Sequence, residues 1–145
     1  DRDALKIWRT DLDAIFKNNL LKGAKEIGKE NRVKQLTDDN DATAHLFNKK
    51  GKEDSIELDL RGEKTFNVLA LQENIRVGQR IENFVFEYWD QGTWKKATEG
   101  TTVGFKRLLE FPTITTIKVR LRILAAREQP ALAEIGLYMD KNKNN

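Results

Sequence analysis

The chain has 145 residues, of which 39% are hydrophobic and 34% charged, and its 26 basic and 23 acidic side chains give a formal net charge of +3. This length predicts one domain large enough to bury a core, and the lack of cysteine excludes a disulfide framework and a thiolate site. The charge is too balanced to indicate a nucleic-acid partner by itself, and no apolar run reaches the ~18 residues of a transmembrane helix.

The first predicted element is an amphipathic helix over residues 3–20. Its apolar residues recur every three or four positions and form one stripe: Leu5, Trp8, Leu12, Ile15, Phe16 and Leu20. Gly23 follows as a stop signal. The stripe packs either on the following domain or on an upstream one, and the sequence leaves both open. Because the chain begins at Asp1 without methionine, we expect a piece of a longer protein with a linking helix over 1–21, a domain over 22–140 and a polar tail over 141–145.

After Gly23 the pattern changes to a period of two, which is typical of strands. The predicted strands cover residues 55–60, 65–71, 81–89, 93–97, 103–111, 116–123 and 133–138. Turn signals separate them, among them Arg61-Gly62, Asp90-Gln91-Gly92 and Pro112. About eight short strands with no helix between them predict an antiparallel sandwich or barrel.

One of these strands is strongly basic on a single face. Lys118, Arg120 and Arg122 alternate with apolar residues, so the three cations point to one side of the sheet. Such a stripe could bind phosphate, but we expect a solvated face whose cations pair with acidic residues on neighbouring strands. In the preceding hairpin we expect Trp89 to pack across the strands and Trp94 to lie in the core.

Two segments far apart in sequence together offer only oxygen donors. An early loop carries Asp38, Asn40 and Thr43, and a late strand begins with Ala133 and Glu134. Carboxylate, amide, hydroxyl and carbonyl oxygens presented by a loop are the ligands that Ca²⁺ takes in proteins. From the residues alone, a loop closed by local side-chain hydrogen bonds without a metal remains the alternative.

Five pieces in this order resemble the coagulation factor 5/8 type C family, also described as discoidin-like or galactose-binding-like. They are the D-x-N-x-x-T loop at 38–43, the I-x-x-D-L-like strand at 56–60, the D-x-G-x-W turn at 90–94, the basic strand at 118–123 and the A-E-I-x-L-Y strand at 133–138. The resemblance implies an all-β jelly-roll sandwich of about eight antiparallel strands, preceded by one N-terminal α-helix.

Further motifs resemble the C-terminal module of α-L-fucosidases, whose catalytic domain is a separate TIM barrel. They lie at residues 66–68, 71–75, 78–81 and 100–107. The resemblance implies a non-catalytic, carbohydrate-binding-type module that supports the upstream catalytic domain of a periplasmic or secreted bacterial retaining glycosidase. Its partners would be that domain and fucose- or galactose-containing glycans, without nucleic acid or membrane insertion. The alternative is a discoidin-like domain for protein or anionic-lipid adhesion with no sugar affinity.

The same resemblance implies two sets of site residues and no catalytic ones. A structural Ca²⁺ would be held by Gln35 (carbonyl), Asp38, Asn40, Thr43, Ala133 (carbonyl) and Glu134. Carbohydrate binding, or docking to the catalytic domain, would use His45, Glu73, Arg76, Gln79 and Arg80.

Overall fold

The computed structural model describes residues 18–27, 33–37, 45–46, 54–74, 79–104, 106–127 and 129–141. In chain order the elements are β1 Lys25–Glu26, α1 Val33–Leu36, β2 His45–Leu46, β3 Asp54–Glu73, β4 Ile81–Asp90, β5 Thr93–Gly100, β6 Arg107–Ala126 and β7 Ala131–Tyr138. The sheet order is β2-β7-β3-β6-β4-β5, with β1 on β3, and the described pairs are all antiparallel. The predicted all-β, antiparallel class is therefore confirmed. Within the described ranges, no helix has the length and apolar character that a membrane crossing requires.

Two predicted strand breaks are bulges inside long strands. β3 and β6 each run for 20 residues, and they pair from Asp54↔Ile123 to Leu71↔Arg107 with register shifts after Asp59 and after Phe66. At the first shift Arg61 and Gly62 have φ of 59° and 127°, and opposite the second lies Pro112, which has no N–H to donate. The turn signals were therefore correct as interruptions of pairing but wrong as strand ends, because the partner strand continues past each one.

The hairpin between β4 and β5 agrees with its sequence signal. Asp90 pairs with Thr93, so the loop consists of two residues. Gln91 and Gly92 both have positive φ, 52° and 81°. Two successive left-handed residues match the right-handed twist of the flanking strands in a type I′ turn. The hydrogen bond from Lys95 to Asp90, and then the Asp90 charge, raise the pKa of Lys95 in this exposed turn.

The main core lies on one face of the sheet and follows the predicted alternation in β6, while Val68, Ala70 and Tyr138 form a second, small buried cluster. In β6, Val119, Leu121 and Ile123 are at most 2% exposed. Three aromatic rings form its centre: those of Phe66, Phe86 and Phe111, whose centroids are 6.0–6.4 Å apart. Full burial of one such side chain stabilises the fold by about 1.5–3 kcal/mol, so this cluster joins β3, β4 and β6 strongly.

The opposite face of β4, β5 and β6 carries a ladder of rings and cations. Trp89 and Trp94 stand directly opposite each other, with ring centroids 5.3 Å apart. Lys118 Nζ lies 4.0 Å from the Trp89 centroid, and Arg120 Cζ lies 4.4 Å from that of Trp94. Arg120 also pairs with Glu87 at 2.8 Å. The predicted pairing with acidic neighbours is confirmed for Arg120 and for Arg122, which lies 3.7 Å from Glu87, whereas Lys118 lies over the Trp89 ring.

The core position predicted for Trp94 is wrong. Trp94 is half-buried and shares the outer face with Trp89, since residues that pair across a hairpin point to the same side of the sheet. Trp89 in turn alternates with Tyr88, which packs against the core. The pleat of β4 therefore assigns both indoles to the outer face, where cations cover them.

A buried asparagine, Asn19, attaches the segment before β1 to β7. The Asn19 side chain is 6% exposed; its amide donates to Ile135 O (3.1 Å), and its oxygen accepts from Leu21 N (3.0 Å) and Leu137 N (3.1 Å). Residues 18 and 19 have no regular secondary structure and residues 20–23 form a turn, so the helix predicted through Leu20 is wrong at this end. The rest of that predicted helix lies outside the described residues.

The buried Asn19 predicts a large difference between two adjacent asparagines. Replacing Asn19 with Ala leaves main-chain groups of β7 without partners, and we expect a loss of about 2–3 kcal/mol in the free energy of unfolding, measured by urea denaturation. Asn18→Ala is the matched control, because Asn18 is exposed, and we expect it to change stability by no more than about 0.5 kcal/mol. Equal effects of the two substitutions would contradict a stabilising role for the Asn19 side-chain hydrogen bonds.

Candidate functional site

Glu73 holds together the loops at one end of the sheet. Its side chain is 1% exposed. Oε1 accepts hydrogen bonds from the main-chain N–H groups of Arg80 (2.8 Å) and Ile81 (2.9 Å), and Oε2 accepts from Gly104 N–H (2.8 Å). A buried carboxylate requires such donors. One side chain therefore fastens both the loop before β4 and the loop before β6 to the end of β3.

This position differs from the contact role predicted for Glu73. Both carboxylate oxygens already accept hydrogen bonds from main-chain donors, so the buried residue positions the two loops and does not itself contact a ligand. We use "loop end" for the surface formed by residues 79–81, 101–104, 127 and 129–132.

Two of the other predicted contact residues lie at this loop end. Gln79 is exposed and Arg80 is half-buried. The Arg80 guanidinium donates through Nη1 to Gln129 O at 2.9 Å. Arg127, which the sequence analysis did not select, donates from its main chain to Arg80 O and from Nη2 to Gln79 O. The structure thus joins two predicted residues to an unpredicted arginine.

The remaining two predicted contact residues are less fully described. The main chain of His45 pairs with Leu132 in β7, and Leu132 pairs on its other side with Glu73. His45 is therefore placed at the same end of the sheet, two strands from Glu73. Arg76 lies outside the described residues.

Both flanks of the predicted metal loop lie against the strand that carries the other predicted ligands. Ala133 is buried and Glu134 half-buried in β7. Before the loop, α1, which includes Gln35, packs against β7. After the loop, β2 pairs with Ala131 and Leu132. The chain between α1 and β2 therefore starts and ends beside β7, the strand that carries Ala133 and Glu134.

The donor chemistry of this pairing fits a hard cation, because carboxylate, amide, hydroxyl and carbonyl oxygens suit Ca²⁺. Asp38, Asn40 and Thr43 themselves lie outside the described residues. Among the residues that are described, no group of three or more His, Asp or Glu side chains could hold a metal. The six-residue ligand set stays a prediction.

Comparison with known proteins places most of the chain in one family. Residues 23–137 match the F5/8 type C domain. Alpha-L-fucosidase 1 of Arabidopsis thaliana is 42% identical over 80 residues, which cover 53% of this chain and 16% of that protein. The chain thus spans a small fraction of the curated relative that it matches.

Solved structures match a longer part of the chain. A GH29 fucosidase of Ruminococcus gnavus, solved in complex with fucose, matches with a TM-score of 0.79 and 31% identity, covering 97% of this chain and 30% of that one. A chitosan-binding module from a Paenibacillus chitosanase/glucanase matches with a TM-score of 0.65 at 16% identity, covering 79% of this chain and 92% of the module. The second match shows a shared fold only.

The role of Glu73 predicts that a neutral isostere will not replace it. Glu73→Gln keeps the shape but turns one acceptor into an N–H₂ group that faces main-chain donors. We expect a loss of at least about 2 kcal/mol in the free energy of unfolding, measured by urea denaturation. Glu82→Gln, at an exposed position of β4, is the control and should be near neutral. A Glu73→Gln variant as stable as the original chain would show that the Glu73 carboxylate does not hold the two loops.

Proposed function

The chain belongs to the F5/8 type C domain family, and we propose that it is the non-catalytic, C-terminal carbohydrate-binding-type module of a retaining α-L-fucosidase. The observation that carries the proposal is that 97% of the chain corresponds to a 30% portion of a GH29 fucosidase. In this proposal the fold is a jelly-roll sandwich, in which the two bent strands β3 and β6 cross between layers. The chemistry belongs to an upstream catalytic domain, since a TIM barrel needs ~200 residues or more.

The glycan site of this proposal is the loop end. Sugar hydroxyls are recognised by hydrogen bonds from side chains with fixed positions. Gln79 and Arg80 supply amide and guanidinium donors there, and the Arg80 side chain is held by Gln129. Glu73 would position both loops without touching the sugar, and His45 and Arg76 complete the set by resemblance. A weak module of this kind increases the residence of the catalytic domain near its glycan by raising the effective concentration.

The same proposal includes a structural Ca²⁺ held by Gln35, Asp38, Asn40, Thr43, Ala133 and Glu134. When bound, such an ion links the early loop to the last strand and stabilises the native state by mass action. The support for it is the oxygen-only donor set and the contact of both loop flanks with β7. A periplasmic or extracellular bacterial location, where calcium is plentiful, remains part of the proposal.

The calcium proposal predicts metal-dependent thermal stability. We expect the unfolding midpoint to rise by several degrees from EDTA to millimolar Ca²⁺, since a ligand at 100 times its Kd adds about 2.7 kcal/mol. Asp38→Ala and Glu134→Ala should each abolish the rise, because each removes one ligand segment. Glu82→Ala, an exposed carboxylate on β4, should retain it. A rise that persists in Glu134→Ala would show that the late strand does not hold the ion.

The glycan proposal predicts saturable sugar binding by the chain itself. We expect NMR amide shifts from titration with fucose, galactose or N-acetylglucosamine to cluster around residues 79–81 and 101–104. Arg80→Gln should weaken the affinity about tenfold, as expected for the loss of a charge-assisted hydrogen bond. Arg61→Gln makes the same change at the β3 bulge and should have no effect. Absence of saturable shifts with all three sugars would contradict glycan binding.

A further inference from the structure

Three arginines lie on or directly beside the loop end, and only Arg80 was predicted from the sequence as a contact residue. Arg80 and Arg127 are adjacent, because Arg127 N–H donates to Arg80 O at 3.0 Å. Arg107 begins β6 and donates through Nη1 to Thr102 O at 2.7 Å. Its loop is attached to the same carboxylate as Arg80, since Glu73 accepts from both Arg80 N–H and Gly104 N–H. The three arginines thus belong to segments that Glu73 and the Arg80 main chain tie to one end of the sheet.

The positive charge of these arginines is not neutralised within the described part of the chain. Each guanidinium donates to a main-chain carbonyl: that of Gln129, Thr102 or Gln79. No carboxylate among the described residues lies within ion-pair distance of any of the three. The nearby Glu73 is buried, and both of its oxygens already accept main-chain hydrogen bonds. Arg120 shows the contrast, because its guanidinium pairs with Glu87 and Glu57.

This arrangement is suited to an oxyanion. A guanidinium offers five N–H donors in a planar fork, and a single bond to a carbonyl orients it while leaving other donors available. Half-burial of Arg80 and Arg107 reduces the screening of their charge by water. Sulfate, phosphate and carboxylate groups accept such donors with charge-assisted bonds, which are about twice as strong as neutral ones.

We propose that the loop end binds a glycan through an acidic substituent, a sulfate ester or a uronic carboxylate, with Arg80, Arg107 and Arg127 as the oxyanion site. This inference rests on the proposed carbohydrate-binding function and names its ligand class. A lipid surface is a poorer partner, because the exposed described residues of these loops, such as Gln79, Thr101 and Thr102, are polar and give nothing to insert into a bilayer.

The test is a comparison of matched neutral and acidic sugars on the full 145-residue chain. Galactose, a sulfated galactose and galacturonate are titrated by calorimetry at fixed ionic strength, and the last two separate a sulfate site from a carboxylate site. We expect at least one acidic sugar to bind about tenfold more tightly than galactose. Added NaCl should weaken the binding of the acidic sugar much more than that of galactose.

Variants assign the preference to the arginines. Arg107→Gln should reduce the preference for the acidic sugar several-fold while galactose binding is retained, and Arg127→Gln should reduce the preference as well. Arg61→Gln, which removes the same charge at the β3 bulge, should leave it unchanged. Two arginine variants are used because Arg127 also holds Gln79, and the galactose affinity reports whether the loops remain intact.

The outcomes separate this inference from the proposed function. If galactose binds as tightly as the acidic sugars, or if both arginine variants keep the preference, the oxyanion site is refuted and glycan binding stands. If no sugar binds, the proposed glycan function fails as well. If phosphatidylserine vesicles or poly-glutamate bind in an arginine-dependent way while sugars do not, the site serves a lipid or protein and the inference is overturned.

Discussion

The loop end of this domain depends on one buried carboxylate. A charge removed from water needs donors in fixed positions, and the Glu73 carboxylate obtains them from main-chain groups of two loops that are distant in sequence. The energetic requirement of the charge therefore becomes a geometric requirement on the loops. The position of Arg80 is fixed by this requirement, because its own N–H is one of the donors. The loop that Arg107 contacts is fixed in the same way through the N–H of Gly104.

The supporting sheet is built on two strands that bend without ending. β3 and β6 pair with each other over most of their length, and each accommodates extra residues where the partner has fewer. The early part of β3 pairs with β1, and its later part pairs with β7. Because of the bulges, β3 and β6 continue from the region beside β1 to the region beside β7. The rings of Phe66, Phe86 and Phe111 pack against one another in the core.

The domain uses arginine in two different ways. On the outer face of β6, Arg120 packs against Trp94 and pairs with acidic side chains. Its charge therefore contributes to the stability of the sheet. At the loop end, Arg80, Arg107 and Arg127 are held by carbonyl oxygens, which orient a guanidinium without cancelling its charge. Compensated charge is a structural feature, whereas uncompensated charge on an ordered surface is available for a ligand. This contrast locates the candidate site on the loops and not on the basic strand.

The sequence by itself determined where most strand segments lie, the inward face of residues 118–123 and the turn at Asp90-Gln91-Gly92, because alternation and turn chemistry are local properties. It also indicated that segments near Gln35 and Ala133 belong together, and their neighbours do meet at β7. Only the tertiary structure decided that Arg61-Gly62 and Pro112 interrupt strands without ending them, that Trp94 faces outward, and that Glu73 is buried. Each of these depends on what lies opposite in a partner strand or across a loop. Arg127 has no sequence signal for the same reason: its significance comes from residues almost fifty positions away.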